Sequence, residues 1–496
     1  MNGALPAASR PRANPLALFN PSHLIVLALA VSICVGAVFG HKLTLGAAVI
    51  IAIAYGSIVM LNLPLALILY VPLTFLQTVK FPGVGPAAIG LVVVAGWLAS
   101  ARCSFVAVRD FLSRHARLVA LIAALLLWNA VTIAWAPDRA TAGASFADWA
   151  RAVLLFFLLV TTMRTLADAR LLMGAFVAGS LLAILAGAAT GGWQTAQAYD
   201  GRLTGGAGDP NYLAMELVVA TILTLALIAT TTRRWQRVGL LLVLPVLVYG
   251  FAATQSRSGL LAAFGATFVA LLLFAKKRLT ILGIATGVAL LGVVWFAVNP
   301  GELTRITNFN NSDGRIDLWT VAWRAWHDHP VAGVGLNNFI TVGAQYVNRP
   351  GALTSVALIV THPHVAHNVY LEALVDTGVI GLILLLAVFG GFLGTAVRAG
   401  RVAEQRGLVE VSILSRAVVV AIVAALIAMT FLSDAPDLRL WVLYAMAPIM
   451  LRVARSERPA GFGRSQARGT RVQAASNRPR ASAVRPSIAA PFIRQK

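Results

Sequence analysis

The sequence predicts an all-α polytopic membrane protein of about 12–14 transmembrane helices, with one large polar loop in its C-terminal half. Three observations predict it. Hydrophobic residues make up 59% of the 496 and charged residues 12%, with a mean hydropathy of +0.81. A soluble protein of this length cannot cover its surface with so few charges, so lipid is the solvent for most side chains. Apolar runs of roughly twenty residues recur from His23 to Met450, the length a helix needs to cross hydrocarbon. Finally, residues 298–368 interrupt this pattern with a polar stretch that holds five of the eight histidines. The short alternating segments of a membrane β-barrel are not visible.

The elements follow in order. Residues 1–22 are polar and Pro/Ala-rich, with no cleavable signal peptide expected, and form an N-terminal segment. An N-terminal bundle over 23–297 contains candidate spans near 23–40, 43–59, 61–77, 84–100, 118–136, 150–163, 171–190, 212–231, 238–254, 259–275 and 279–297. Pro64 and Pro72 interrupt the hairpin over 43–77, and without that pair the total falls to twelve. The large loop, 298–368, leads into closing helices over 369–451, near 369–396, 417–433 and 438–451. The tail, 452–496, is rich in Arg, Ser, Pro and Ala without apolar periodicity, and reads as a disordered basic segment lying on anionic headgroups.

Charge gives the orientation. Of the 40 Lys and Arg, 29 fall on one side of this scheme, including Arg10 and Arg12, the cluster from Arg102 to Arg117, Arg233 to Arg237, Lys276 to Arg278, Arg398 to Arg416, and the tail. Short loops with that bias are cytoplasmic. Both termini are therefore expected inside, and 298–368 outside, in the periplasm of a bacterium. The net charge of +22 belongs to this topology signal. Nucleic-acid binding is not expected, because no aromatic interleaving or dedicated domain accompanies the charge. The two cysteines, Cys34 and Cys103, lack metal-ligand spacing and are not expected to form a disulfide.

The outer face collects the chemistry. Gly201-Arg202 and Asp209-Pro210-Asn211 lie in a glycine-rich loop, where Pro210 favours a helix start and an arginine can fork onto phosphate oxygens or simply snorkel. Thr254-Gln255-Ser256-Arg257-Ser258-Gly259 sits between two apolar runs with almost no loop, which places Arg257 at the interface, either as an anchor or facing a wet cavity. In the large loop, Gly314-Arg315-Ile316-Asp317 opens a helical pattern that ends at His329-Pro330 and is followed by Gly333-Val334-Gly335. Arg315 is either another anion ligand or a partner for Asp317 or Asp328. Trp319, Trp323 and Trp326 share a helical face and read as a packing stripe. His362, His364 and His367 admit three readings: metal ligands at loose spacing, ordinary loop residues, or, for His367, a proton acceptor at the point where the loop re-enters the membrane before Asn368, Tyr370 and Glu372.

Taken together, these residues resemble the bacterial O-antigen ligase and O-antigen polymerase family. The resemblance rests on Gly201-Arg202 with Asp209-Pro210-Asn211, Ser256-Arg257-Ser258-Gly259, Gly314-Arg315 leading to Pro330, Gly333-Val334-Gly335 and Phe339, and His367-Asn368-Val369-Tyr370-Leu371-Glu372 leading to Gly378 and Gly381. It covers roughly 195–385; the N-terminal half matches in hydropathy only. It implies a GT-C-like glycosyltransferase of the inner membrane whose donor is a glycan on undecaprenyl diphosphate and whose acceptor is lipid A–core or another glycan. It also implies that Arg202 and Arg257 bind the diphosphate and that His367 activates the acceptor hydroxyl. Arg315, Asn211, Asn368, Tyr370 and Glu372 would support them. No metal, nucleotide or other cofactor is implied. A protein O-oligosaccharyltransferase of the same family and a polytopic lipid or sugar transporter are the alternatives, the latter with Glu216, Glu372 and Asp376 as its candidate ionisable residues.

Overall fold

The computed structural model describes residues 53–76, 86–189, 201–298, 314–349, 351, 353, 356 and 364–457, and every regular element among them is helical. Helix α1 covers 53–61, α2 Leu63–Leu73, α3 Pro86–Ala99, α4 Ala101–Arg114 and α5 Ala116–Thr132. Next come α6 Arg139–Thr162, α7 Leu166–Ala189, α8 Pro210–Thr230, α9 Arg234–Thr254, α10 Arg257–Leu273 and α11 Arg278–Val298. Two helices, α12 Arg315–Asp328 and the short α13 Phe339–Val342, lie in the large loop; α14 Val369–Gln405, α15 Val409–Ala428 and α16 Leu438–Ser456 close the chain.

The molecule is a polytopic all-α membrane protein. Among the described residues, seven helices are long and apolar enough to cross a membrane, or eight if the pair Val108–Arg114 and Ala116–Thr132, bent by 101° at His115, is one span. The other expected spans correspond to the shorter apolar helices Leu63–Leu73, Ile89–Ala99 and Arg257–Leu273 and to α16, whose arginines take it outside that count. The span near 23–40, most of that near 43–59, and the segments 1–22 and 458–496 lie outside the described residues. One start moves well away from the hydropathy reading: α6 begins at Arg139 rather than near 150. Asp138 caps it, accepting from the N–H groups of Ala140 and Thr141 at 3.0 and 3.1 Å.

The core gathers around α16, which packs against α6, α7, α14 and α15. It is apolar nearly all round, as a central helix must be. Trp441 meets Trp149 and Phe156 edge-on, and Phe392 stacks on Tyr444 at 4.8 Å. Arg439 is the exception on this helix, 2% exposed and ion-paired with Glu216 of α8 and with Asp437. A buried arginine persists only with such partners. At one end of the bundle, arginines close the C-terminal ends of helices. Arg452 donates to the carbonyls of Val160 and Met163 at 2.6 and 3.0 Å, and Arg416 to that of Leu273 at 3.1 Å.

At the opposite end, the described part of the large loop folds on a core of its own, built from Leu318, Val321, Ala325, Phe339 and Val342 and joined to Val375 of α14. The attachment is a backbone joint. Helix α14 is broken at Gly378, whose φ of 71° and ψ of −173° are open essentially to glycine alone. The segment after α12 docks into the break: Val334 N–H donates to Val375 O at 2.9 Å, Gly335 N–H to Asp376 O at 2.8 Å, and Val379 N–H to Pro330 O at 3.0 Å. A Cβ on Gly378 would lie 2.0 Å from Val331 O, and one on Gly333 2.4 Å from Asp376 backbone. Gly333 and Gly378 are thus the two sides of one close contact. Asp376 completes it by accepting from the N–H groups of Asn338 and Phe339 at 3.1 and 2.8 Å.

Candidate functional site

Helices α8, α10, α12, α14 and α16 are among those that start at this end, and most of their first residues are cap formers. Asp209 accepts from Asn211 N–H at 2.6 Å to open α8, Ser256 from Gly259 N–H at 3.2 Å to open α10, and Asn368 from Tyr370 and Leu371 N–H at 3.1 Å to open α14. Asp437 caps α16, and Gly314 precedes α12. Each start carries the positive end of a helix dipole and amides without intrahelical acceptors.

Side chains draw these starts together. Arg202, buried to 8% exposure, donates from Nε to Thr254 O at 2.8 Å and from Nη2 to Asn211 Oδ1 at 3.2 Å. The same Asn211 oxygen accepts from Ser256 Oγ at 2.8 Å. Asn211 therefore ties the 202–211 loop to the residue immediately before Arg257, which is half-buried in the first turn of α10. Tyr212 Oη accepts from Ser433 N–H at 3.0 Å and joins the last loop of the bundle to this group. From α12, Trp319 donates its indole N–H to Ala366 O at 2.9 Å, gripping the residue before His367.

His367 sits where these elements meet. It is half-buried and held at φ 49° between the Trp319 bond and the Asn368 cap. Gln255, Asn337 and His367 are the non-glycine residues of positive φ among the described residues, and all three lie at this end; such strain concentrates at functional sites. Burial pushes the His367 imidazole below its ordinary value, the Arg315 guanidinium and His364 push the same way, and Asp209 opposes them. Two groups far apart in sequence, Arg315 and Asp209, therefore act on one imidazole, which holds a proton less tightly than a free histidine does.

The other sequence candidates divide. Asp328 pairs with Arg349, at 2.7 Å from Nη1 to Oδ1, so it is not the partner of Arg315. Tyr370 turns to α15, donating to Leu426 O at 2.7 Å, and packs edge-on to Phe389. Trp323 and Trp326 pack on each other at 4.6 Å, and Trp326 donates to Pro330 O at 3.1 Å. Glu372 lines a cavity beside the site together with Asn129, Ser145, Asp148 and Asp434. Asn129, Asp434 and the Glu216–Arg439–Asp437 network escape a reading by motifs. The available signal was an asparagine within an apolar run and an arginine one residue inside the last span. His362 lies outside the described residues, and among the described residues no three His, Cys, Asp or Glu side chains gather as a metal site would require.

Residues 241–386 match the family model described as O-antigen ligase, a range that includes Arg257, Arg315, His367 and Gly378 and begins after Arg202 and Asn211. No curated protein matches the chain.

Proposed function

We propose that this chain, whose residues 241–386 match the O-antigen ligase family model, is a glycosyltransferase acting at the periplasmic face of a bacterial inner membrane. It moves a glycan from undecaprenyl diphosphate to an acceptor hydroxyl. The observation that carries this reading is the set of contacts at one end of a membrane bundle that ties Arg202 and Asn211 to the start of α10 and lets Trp319 of α12 grip Ala366 beside His367. Cationic side chains, positive helix ends and a neutral imidazole are what this reaction requires.

The step balances as a displacement. The acceptor oxygen bonds to the anomeric carbon while the bond from that carbon to the diphosphate oxygen breaks. The hydroxyl proton passes to His367, and the electron pair of the broken bond leaves as negative charge on the diphosphate. Arg257 stabilises that charge together with Arg202 and Arg315, reinforced by the capped helix starts. Because these groups supply the positive charge, the reaction is read as requiring no metal, and chelation should leave it unchanged. A positioned base contributes on the order of 10²–10⁴-fold.

His367→Ala should abolish transfer in a deletion strain while protein level and membrane insertion are kept, read as surface polysaccharide on gels. Arg257→Lys keeps the charge but loses the bidentate fork and should lose most activity. Normal transfer by a well-expressed His367→Ala protein rules out the mechanism. Unligated long chains in the deletion strain indicate a lipid A–core acceptor, and chains of single repeats indicate a polymerase. The facing of the site is checked by Val331→Cys, at a residue 57% exposed, which an impermeant thiol reagent should label from outside the cell.

A further inference from the structure

Beside the arginine site lies a cavity of about 130 Å³, bounded by α5, α6, the first turns of α14 and the 433–436 loop. A water needs about 10–15 Å³ on the same measure, so the space admits on the order of ten, or the bulk of a single sugar ring. Its wall carries the carboxylates of Asp148, Glu372 and Asp434, the hydroxyl of Ser145 and the amide of Asn129. Asn129 is 2% exposed and its Nδ2 has no hydrogen-bond partner among the described residues. A buried amide left in that state is costly unless something enters to meet it.

We infer that this cavity is the subsite for the acceptor's sugar ring. The inference rests on the transferase reading above and assigns the second substrate to a place of its own. The wall chemistry selects the ligand. No lysine or arginine lines the cavity, so it offers a diphosphate no positive charge and the donor's head group is favoured on the arginine side. Carboxylates alone would welcome a cation, but a cation offers no acceptor for the Asn129 N–H groups. A hydroxyl both donates and accepts, and a ring bearing several can satisfy the carboxylates and the amide together. Val369, two residues beyond His367, belongs to the same wall, and Ser433 is tied to Tyr212 of the arginine side. An acceptor held there is therefore next to the base.

The test uses the full chain in detergent, with Cys34 and Cys103 replaced by serine and Ser145→Cys added. A small methanethiosulfonate reagent should label Cys-substituted position 145. Core oligosaccharide released from lipopolysaccharide of the deletion strain, or glycan released from its lipid-linked repeats, should slow labelling about tenfold at ten times its half-saturating concentration. The more effective glycan identifies the acceptor class. Adding Asn129→Ala or Glu372→Gln should raise the half-protecting concentration by about tenfold. In transfer assays, the same two substitutions in the otherwise native chain should raise KM for acceptor and leave KM for donor unchanged. Absence of protection by either glycan overturns the subsite, as does equal protection by inorganic diphosphate or protection indifferent to both substitutions. Labelling requires no turnover, so protection without any transfer would instead count against the transferase reading.

Discussion

Replacing Gly378 with alanine tests whether the joint between α14 and the large loop holds the site together. The substitution acts in two ways. At φ 71° and ψ −173° an alanine is strained by about 1–3 kcal/mol. Its Cβ would also meet Val331 O at 2.0 Å and Val331 C at 2.3 Å, both backbone atoms with no side-chain freedom to retreat. Relief requires the 330–335 segment to withdraw, which gives up the three backbone hydrogen bonds at 2.8–3.0 Å. At about 0.5–1.5 kcal/mol each these contribute roughly 1.5–4.5 kcal/mol. The sum, about 2.5–7.5 kcal/mol, is comparable with the whole stability of many domains.

Undocking reaches the site along a defined route. The segment carries α12, which provides Arg315 and the Trp319 bond to Ala366 that holds His367. Gly378→Ala should therefore lower the thermal unfolding temperature in detergent, expose 314–349 to limited proteolysis, and reduce transfer by about two orders of magnitude or more. Gly390→Ala is the control in the same helix, since nothing lies within 4 Å of its would-be Cβ; it should be neutral or slightly stabilising. Gly378→Ala with native unfolding temperature and native transfer would refute the joint as the support of the site.

Two further outcomes follow from the same contacts. Arg439→Met leaves the Glu216 and Asp437 carboxylates without their buried counter-charge and should cost about 3–5 kcal/mol, with part restored by adding Glu216→Gln; a denaturation midpoint equal to wild type would show that the network contributes nothing. Because His367 must be neutral to accept a proton and is held below its ordinary value, transfer should persist as pH falls to the ordinary histidine range and fail only below it. Arg315→Gln removes one cause of that depression and should move the acid limb to higher pH, whereas an unmoved limb would assign it to another group.

Much of this was legible in the sequence because its physics is local. Hydropathy marks helices, and Asp209-Pro210, Ser256 and Asn368 announce helix starts by cap chemistry alone. Gly333, Gly335 and Gly378 were visible as a pattern, but their reason was not: Gly333 and Gly378 are each required by the backbone beside the other, over forty residues away, and Gly335 by Ala136. The polar opening of α6, Arg139 to Asp148, carries no apolar period, so its helicity shows only through the Asp138 cap. Arg439 was hidden by lying at the edge of a span. Only its pairing across the bundle with Glu216 distinguishes a buried network from an interfacial anchor.

The arginines at the two ends of the bundle have opposite relations to the helix dipole. Arg452 and Arg416 lie at C-terminal ends, where a cation is favoured. Arg257 and Arg315 occupy the first helical positions of α10 and α12, where it is disfavoured. Arg439, similarly placed in α16, is offset by Asp437 and Glu216 within the fold. Cations repeated at the positive ends of helices on one side of the bundle break a local rule in one place, and such departures mark function. The consequence is measurable on Arg315, whose replacement by glutamine removes a cation from the positive end of α12. Without substrate, Arg315→Gln should raise stability by about 0.3–1 kcal/mol while lowering transfer. A loss of stability of that size instead would mean that Arg315 serves the fold and that the anion-binding role belongs to Arg257 and Arg202 alone.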